Sequence, residues 1–200
     1  MTDYFALLDQ PRQPWLDENA LKSKFLALAS EAHPDKQHGA DESQKAAANR
    51  RYAELNAAYQ CLREHKSRLL HLLQLELGAK PADVQQIPRA LADLFAEVAT
   101  ECRNADTFLA EKNKATSPLL QAQLFERGQE WAGRLRELQK KLAGLNSKLL
   151  EELKSLDAEW ASKPSARRVL LNRLEELYRL FGYFNRWNSQ IQERIIQLSL

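Results

Sequence analysis

The feature that most constrains the fold is a long, regular series of apolar residues in the second half of the chain. From Leu124 to Trp160, apolar side chains recur every three or four residues over about ten helical turns. Ser117 and Pro118 stand before this series, where serine and proline favour the start of a helix. The same spacing occurs on either side, in the series Ile87, Leu91, Leu94, Val98, Ala105, Phe108 and the series Leu170, Leu174, Leu177, Phe181, Phe184, Ile191, Ile195, Leu198. Three such helices predict an antiparallel, coiled-coil-like three-helix bundle, although long leucine series can also pair between chains.

The first half of the chain also has helical spacing, but in shorter segments. Asp17 is a favourable N-cap for a helix that carries Leu21, Phe25 and Leu28, and this helix must end before Pro34. Two further helices are predicted, which begin at about Ser43 and at about Lys66. The first of them carries Tyr52, Leu55, Tyr59 and Leu62, which are expected in the apolar core. With only 6 Gly and 7 Pro, and no segment with strand spacing, the whole chain is predicted to be all-α.

A segment that contains one glycine and two prolines separates the two halves. Gly78 follows a helical pattern, and Pro81 and Pro88 prevent that pattern from resuming at once. We therefore predict an N-terminal domain over residues 1–77, a linker over 78–88 and the three-helix bundle over 89–200.

Charge and cysteine content exclude several classes of protein. The net charge is +2, which gives no basic field for nucleic acid. No apolar segment is long enough to span a membrane, and the start of the chain lacks the pattern of a signal peptide. The two cysteines, Cys61 and Cys102, form no metal-binding motif. We expect a cytoplasmic protein with no cofactor, no metal and no membrane or nucleic-acid partner.

The most informative motif is His33-Pro34-Asp35, which lies between an amphipathic helix and a polar loop and is followed by Lys36. A tripeptide alone is weak evidence, and the alternative is an ordinary helix end with a solvated turn. Its surroundings are specific, however: Asp3-Tyr4-Phe5 lies upstream, and Tyr52-Ala53-Glu54-Leu55-Asn56-Ala57-Ala58-Tyr59 and Arg68 lie downstream. Over residues 3–75 the chain resembles the J domain of DnaJ-type co-chaperones.

The resemblance implies a binding module without an active site of its own. A J domain binds a DnaK/HscA-type ATP-dependent chaperone and stimulates its ATP hydrolysis. The expected chaperone-binding residues are His33, Pro34, Asp35, Lys22, Lys24 and Lys36. Pro34 stiffens the loop, Asp35 offers a carboxylate to an arginine, and the lysines face an acidic surface. For Lys22 and Lys24 the alternative is a solvated helix face.

Among J-domain proteins, the order of domains is similar to the HscB family of iron–sulfur cluster assembly co-chaperones. In that family the bundle is a client-binding or oligomerisation domain, and its first helix presents an apolar and acidic patch to the cluster scaffold protein (IscU type). The corresponding residues here are Leu91, Phe95 and Glu97. The second helix departs from general J domains, because Leu26, Ala27 and Glu31 occupy positions that are often basic.

Other functions are less well supported by the sequence. A J-domain co-chaperone with a different client, and a helical adaptor outside iron–sulfur assembly, both remain open. An enzyme is not expected, because no nucleophile accompanies His33 and Asp35. Cys61 and His65 share a helical face at a spacing that can bind metal, but two ligands do not make a site.

Overall fold

The computed structural model describes residues 1–33, 41–82, 88–162 and 167–199. These residues contain seven α-helices, one 3₁₀ turn at Arg89–Leu91 and no strand, which confirms the all-α prediction. The helices are α1 (Tyr4–Leu7), α2 (Glu18–Glu31), α3 (Glu42–Arg63), α4 (His65–Leu77), α5 (Ala92–Lys112), α6 (Pro118–Ser162) and α7 (Arg167–Ser199). Within the described ranges, every helix is too short or too polar to cross a lipid bilayer.

Polar side chains cap the N-termini of helices in the first half of the chain. The Asp17 carboxylate accepts a hydrogen bond from the Ala20 amide at 2.8 Å, as the sequence predicted for the start of α2. Asp41 and Gln44 form a reciprocal capping box at the start of α3. Gly78 ends α4 in the left-handed conformation, with φ of 72°, which a side chain would make unfavourable.

The chain folds into two compact units. The first, which we call the N-terminal unit, comprises residues 1–82 and 150–179, and the second, the bundle unit, comprises residues 83–149 and 180–200. Helices α6 and α7 contribute residues to both units. The division into 1–77, 78–88 and 89–200 stays a prediction.

The bundle unit packs parts of α5, α6 and α7 around one apolar core. Contacts between the helices fix their directions: Glu97–Lys141 and Glu111–Arg127 pair α5 with an antiparallel α6, and Phe95–Trp187 and Asp106–Arg194 pair α5 with a parallel α7. The predicted antiparallel three-helix bundle is therefore confirmed. Buried core residues include Leu94, Val98, Ala105, Phe108, Leu124, Leu135, Leu138, Leu142, Phe184, Trp187, Ile191 and Leu198.

The N-terminal unit has its own core, which α6 and α7 help to form. Side chains from the first part of the chain and from residues 150–179 are buried in this unit. They include Phe5, Leu8, Leu21, Leu55, Leu62, Leu69, Leu72 and Leu73 from the first part, and Leu153, Trp160, Leu170, Leu174 and Leu177 from the second. Tyr52 and Tyr59, which we expected in the core, are half-buried, and so is Phe25.

Candidate functional site

Helices α2 and α3 form a hairpin that carries the first candidate residue. His33 is half-buried and follows the end of α2, and its ring makes an edge contact with Tyr52 of α3 at a centroid distance of 5.5 Å. Further along the hairpin, Phe25 stacks on Tyr59 at 4.3 Å with nearly parallel rings. The later residue on the α2 side, His33, contacts the earlier residue of α3, Tyr52, and the earlier one, Phe25, contacts the later one, Tyr59. The two helices are therefore antiparallel. The contact with Tyr52 therefore holds the His33 imidazole at one end of the hairpin.

Three of the residues predicted to bind the chaperone, Pro34, Asp35 and Lys36, lie outside the described residues. Of the other three, His33 is described above, and Lys22 and Lys24 lie on α2. Lys22 is exposed, whereas Lys24 pairs with Asp9 at 3.0 Å and keeps 39% of its side chain exposed. Asp9 has a φ of 48°, in a region that few residues with a side chain adopt. Both lysines are thus on the helix that leads to His33, and the charge of Lys24 is shared with a neighbouring loop.

A buried arginine holds the N-terminal unit together. Arg68 of α4 is fully buried and donates from Nε to the Pro14 carbonyl at 2.8 Å and from Nη1 to the Leu62 carbonyl at 2.7 Å. Burial lowers the pKa of Arg68 to about 10, and it remains charged at neutral pH. Its guanidinium connects α4 to the end of α3 and to the loop after α1, so it fixes the base from which the hairpin projects.

The potential metal ligands Cys61 and His65 have other contacts. The Nη2 group of Arg68 lies 2.8 Å from Nδ1 of His65, and the Cys61 thiol lies 3.6 Å from the Ser67 carbonyl. Burial raises the pKa of Cys61 to about 11, which disfavours the thiolate that a metal would need. Across the described ranges, no three His, Cys, Asp or Glu side chains are grouped closely enough to hold a metal ion.

A second histidine of α4 anchors the start of the chain. Nε2 of His71 accepts a hydrogen bond from the Tyr4 amide at 3.0 Å, and the ring stacks on both Tyr4 and Phe5. Asp3 caps α1, and its carboxylate accepts a hydrogen bond from Nε of Arg12 at 2.7 Å. Burial alone would raise the pKa of Asp3, but hydrogen bonds from Arg12 and from backbone amides lower it overall. The sequence motif Asp3-Tyr4-Phe5 thus has a structural role in fixing α1 on α4.

The loop between α1 and α2 is held by side chains of α6. The Trp15 amide donates to Asp157 at 2.9 Å, and Nε1 of Trp160 donates to the Arg12 carbonyl at 3.0 Å. Lys154 places its ammonium 4.6 Å from the centre of the Trp15 ring. Sequence reasoning missed this cluster, because its hydrogen-bonded partners are 142 and 148 residues apart and no local spacing connects them.

The three predicted client-binding residues lie at the start of α5 and differ in exposure. Phe95 is 42% exposed and Glu97 is exposed, whereas Leu91 packs partly against the core of the bundle unit. Glu97 forms an ion pair with Lys141 of α6. Phe95 and Glu97 are two positions apart on α5 and lean toward different neighbours, Trp187 of α7 and Lys141 of α6, so these contacts do not place the ring and the carboxylate on one face of the helix.

Trp187 of α7 packs beside Phe95, although nothing in the sequence connected these two residues. The two ring centres are 6.3 Å apart, and Trp187 is only 3% exposed. Tyr183 and Phe184 contact the same indole at 5.8 Å each. Phe184 and Trp187 are both buried, so they belong to the core of the bundle unit and not to an exposed patch.

Comparison with known proteins identifies the hairpin. Residues 3–71 match the family described as the DnaJ domain. The N-terminal part of this chain is a J domain. This confirms the assignment made from the His33-Pro34-Asp35 motif and its surroundings, and the hairpin contact between His33 and Tyr52 is a contact within the J domain.

The chain is similar in sequence to proteins named as HscB co-chaperones. It is 38% identical over 80 residues to the HscB homologue of Burkholderia thailandensis, covering 38% of this chain and 46% of that protein. It is 37% identical over 73 residues to the homologue of Cupriavidus taiwanensis, covering 36% of this chain and 42% of that one. In sequence, the chain therefore spans less than half the length of the curated relatives it matches.

The likeness in fold extends over most of the chain. The structure resembles the chaperone HscB from Vibrio cholerae with a TM-score of 0.59 and 19% identity, covering 96% of both chains. It resembles human co-chaperone HscB with a TM-score of 0.61 and 18% identity, covering 96% of this chain and 81% of the human one. The predicted architecture, a J domain followed by a helical bundle as in HscB, is confirmed.

Proposed function

We propose that this protein is a co-chaperone that binds a DnaK/HscA-type ATP-dependent chaperone, stimulates its ATP hydrolysis and delivers a client protein to it. The observation that carries the proposal is the J domain, in which Tyr52 holds His33 at the end of the α2–α3 hairpin. ATP hydrolysis takes place on the partner, so the chain itself acts as a binding module and not as an enzyme.

Electrostatic attraction supports the docking step. Lys22 is exposed on α2, Lys24 is partly exposed, and Lys36 follows the His33-Pro34-Asp35 motif directly. Such a group would attract an acidic surface of the chaperone and raise the rate of association more than the final affinity. The Asp9–Lys24 pair competes with that attraction, so Lys22 and Lys36 are expected to contribute more than Lys24.

We propose that the client is an iron–sulfur cluster scaffold protein of the IscU type and that it binds the patch formed by Leu91, Phe95 and Glu97. The similarity of this chain to HscB co-chaperones favours this client over others. The exposed ring of Phe95 offers an apolar anchor, and Glu97 offers a carboxylate once Lys141 releases it.

Chaperone and client can be tested together by steady-state ATP hydrolysis. A general and a specialised DnaK-type chaperone are each assayed with this protein, with and without the scaffold protein. His33→Gln should abolish stimulation, whereas His38→Gln, the same exchange a few residues further on, should retain it. Stimulation by the wild-type protein that persists with His33→Gln would contradict the proposed docking. Stimulation without any effect of the scaffold would contradict the proposed client and leave the co-chaperone function intact.

Phe95→Ala tests the client patch directly. We expect the affinity for the scaffold to fall by about thirtyfold, because a central aromatic anchor contributes about 2 kcal/mol to binding. The free energy of unfolding should change by less than about 1 kcal/mol, because the ring is partly solvated already. Affinity is measured by isothermal titration calorimetry, and Val169→Ala, at another exposed apolar position, is the matched control. Unchanged affinity, or a large loss of stability, would contradict the assignment of this patch.

A further inference from the structure

A second exposed apolar surface lies at the end of the bundle unit opposite to the start of α5. We call it the turn end; it comprises the last turns of α5 from residue 107, the turn at 113–117, the first turns of α6 to residue 127, and the last turn of α7. Of the nine large apolar side chains exposed among the described residues, four belong to it: Leu119, Leu120, Phe125 and Ile196. Leu119 is 72% exposed and Phe125 is 45% exposed, so this apolar area faces solvent and not the core.

The turn end has an open cleft between α5 and α6. The cleft has a volume of about 770 Å³, and Leu109, Ala115 and Phe125 supply its apolar lining. Asn113 and Gln121 supply carboxamides. From α7, only Gln197 contributes to the described lining. In the rest of the bundle unit, side chains of α7 fill the groove between α5 and α6, whereas this cleft between the two helices is open.

Three of the five charged residues at the turn end are basic, and two of these three, Lys112 and Lys114, line its clefts. Lys112 lines the first cleft, and Lys114 lines a second cleft of about 580 Å³ beside Leu120. Glu111, which precedes both lysines in sequence and also lines the second cleft, is paired with Arg127 at 3.2 Å, and Glu126 is exposed on α6. The two lysines therefore present their charge beside apolar surface, and a carboxylate on an incoming segment would complement them.

We propose that the turn end binds an amphipathic helix of a partner protein, with an apolar face flanked by Asp or Glu. Its apolar face would occupy the cleft against Leu109 and Phe125. Its carboxylates would lie beside Lys112 and Lys114. This surface is separate from the patch at Leu91, Phe95 and Glu97 and from the J-domain hairpin, so the proposal does not depend on the identity of the chaperone or of the client.

The test uses the full chain and two fluorescent synthetic helical peptides of equal length. Both carry the same leucine stripe; one has Glu and the other Lys at the flanking positions. Fluorescence anisotropy at low salt should show the Glu peptide binding at least about tenfold more tightly than the Lys peptide. Phe125→Ser should weaken binding of the Glu peptide by about tenfold or more, whereas Val169→Ser, in the other unit, should leave it unchanged.

A charge exchange keeps the proposal testable if Phe125→Ser alters folding. Replacing both lysines, Lys112→Glu with Lys114→Glu, affects only solvent-facing or partly exposed side chains and should reverse the preference between the two peptides. In nuclear magnetic resonance spectra, the side-chain amides of Asn113 and Gln121 should shift with the Glu peptide. Equal affinity for both peptides, no binding, or shifts confined to residues around Phe95 would overturn the proposal. So would sedimentation of the free chain as a dimer that Phe125→Ser dissociates, because the occupant would then be a second copy.

Discussion

Two histidines of α4 each use a ring nitrogen to accept a hydrogen bond, and this determines their charge. Nε2 of His71 accepts from the Tyr4 amide, and Nδ1 of His65 faces the guanidinium of Arg68; both of these groups can only donate. Each histidine is therefore neutral in the folded protein. Burial lowers the pKa of both side chains, and the charge of Arg68 lowers the pKa of His65 further.

This arrangement makes the N-terminal unit sensitive to acid. An unfolded histidine has a pKa of about 6.5, so below that pH the unfolded chain takes up protons that the folded chain excludes. Stability should be fully present above about pH 6.5 and should be lost as the pH falls through the lowered pKa values of the folded state, by at most about 1.4 kcal/mol per pH unit for each histidine. The check is urea unfolding between about pH 7.5 and pH 5. His65→Gln with His71→Gln should flatten the dependence, and a wild-type protein equally stable across this range would contradict the account.

For a single residue, the sequence predicts a role when the residues that indicate that role lie close to it in the chain. His33 was identified because the tripeptide and its flanking helices lie within a short stretch, and it lies at the end of the hairpin as expected. Arg68 was recognised only as part of the family pattern, because its acceptors at Pro14 and Leu62 are set by folding. Trp187 could not be assigned to the Phe95 patch, since α5 and α7 meet only in the tertiary structure.

Among the helices, α6 contains three glycines, and the structure distinguishes their roles. A glycine inside a helix can serve either bending or close approach of a neighbouring helix, and the sequence alone does not distinguish these roles for Gly128, Gly133 and Gly144. A β-carbon at Gly128 would lie 3.0 Å from the Leu198 carbonyl oxygen of α7, whereas one at Gly133 or Gly144 would have nothing within 4 Å. Gly128 therefore permits close approach of two helices, and no such contact accounts for the other two.

Alanine substitutions should separate these roles. Gly144→Ala should stabilise the protein by about 0.5–1 kcal/mol, because alanine loses less backbone entropy in a helix than glycine. Gly128→Ala should gain nothing or lose stability, because a backbone carbonyl must move to admit the methyl group. Thermal and urea unfolding of the two variants provide the measurement. A larger gain from Gly128→Ala than from Gly144→Ala would show that α6 and α7 are not in close contact here.

The bounds of helices followed from local signals wherever a cap was present. Asp17 and Pro118 marked the starts of α2 and α6, and both were found there. The start of the first bundle helix was less accurate: the apolar series suggested a continuous stripe from Ile87, but residues 89–91 form a 3₁₀ turn and α5 begins at Ala92. Ile87 lies outside the described residues. Apolar spacing indicates which face a helix buries. Because apolar residues have nearly the same spacing in a 3₁₀ turn as in an α-helix, the spacing does not mark the residue at which the α-helix begins.

At the scale of the whole molecule, the J domain shares its compact unit with residues 150–179, from the second half of the chain. Leu153 and Trp160 of α6 and Leu174 of α7 are buried in the N-terminal unit. Asp157 also accepts the Trp15 amide. The sequence showed two helical halves, but it could not show that residues 150–179 complete the core of the first, because both parts have the same apolar spacing.

A fragment of residues 1–82 should therefore be less stable than the same residues in the full chain. We expect a loss of at least about 2 kcal/mol, because the Trp15 amide and the Arg12 carbonyl lose their partners and apolar side chains become solvated. Hydrogen exchange at the amides of the buried Leu69 and Leu72 compares the fragment with the full chain. Equal protection in both would contradict a shared core.

The central claim is that the loop beginning at His33 couples this protein to an ATP-dependent chaperone. The most direct test is single-turnover ATP hydrolysis by a DnaK-type chaperone, titrated with the wild-type protein and with Asp35→Asn, which removes one negative charge at constant shape. We predict saturable stimulation by the wild-type protein, at least about tenfold weaker binding by the variant through loss of a charge-assisted hydrogen bond, and the same melting temperature for both. Equal stimulation by Asp35→Asn, or no stimulation by the wild-type protein with any DnaK-type chaperone, would contradict the account.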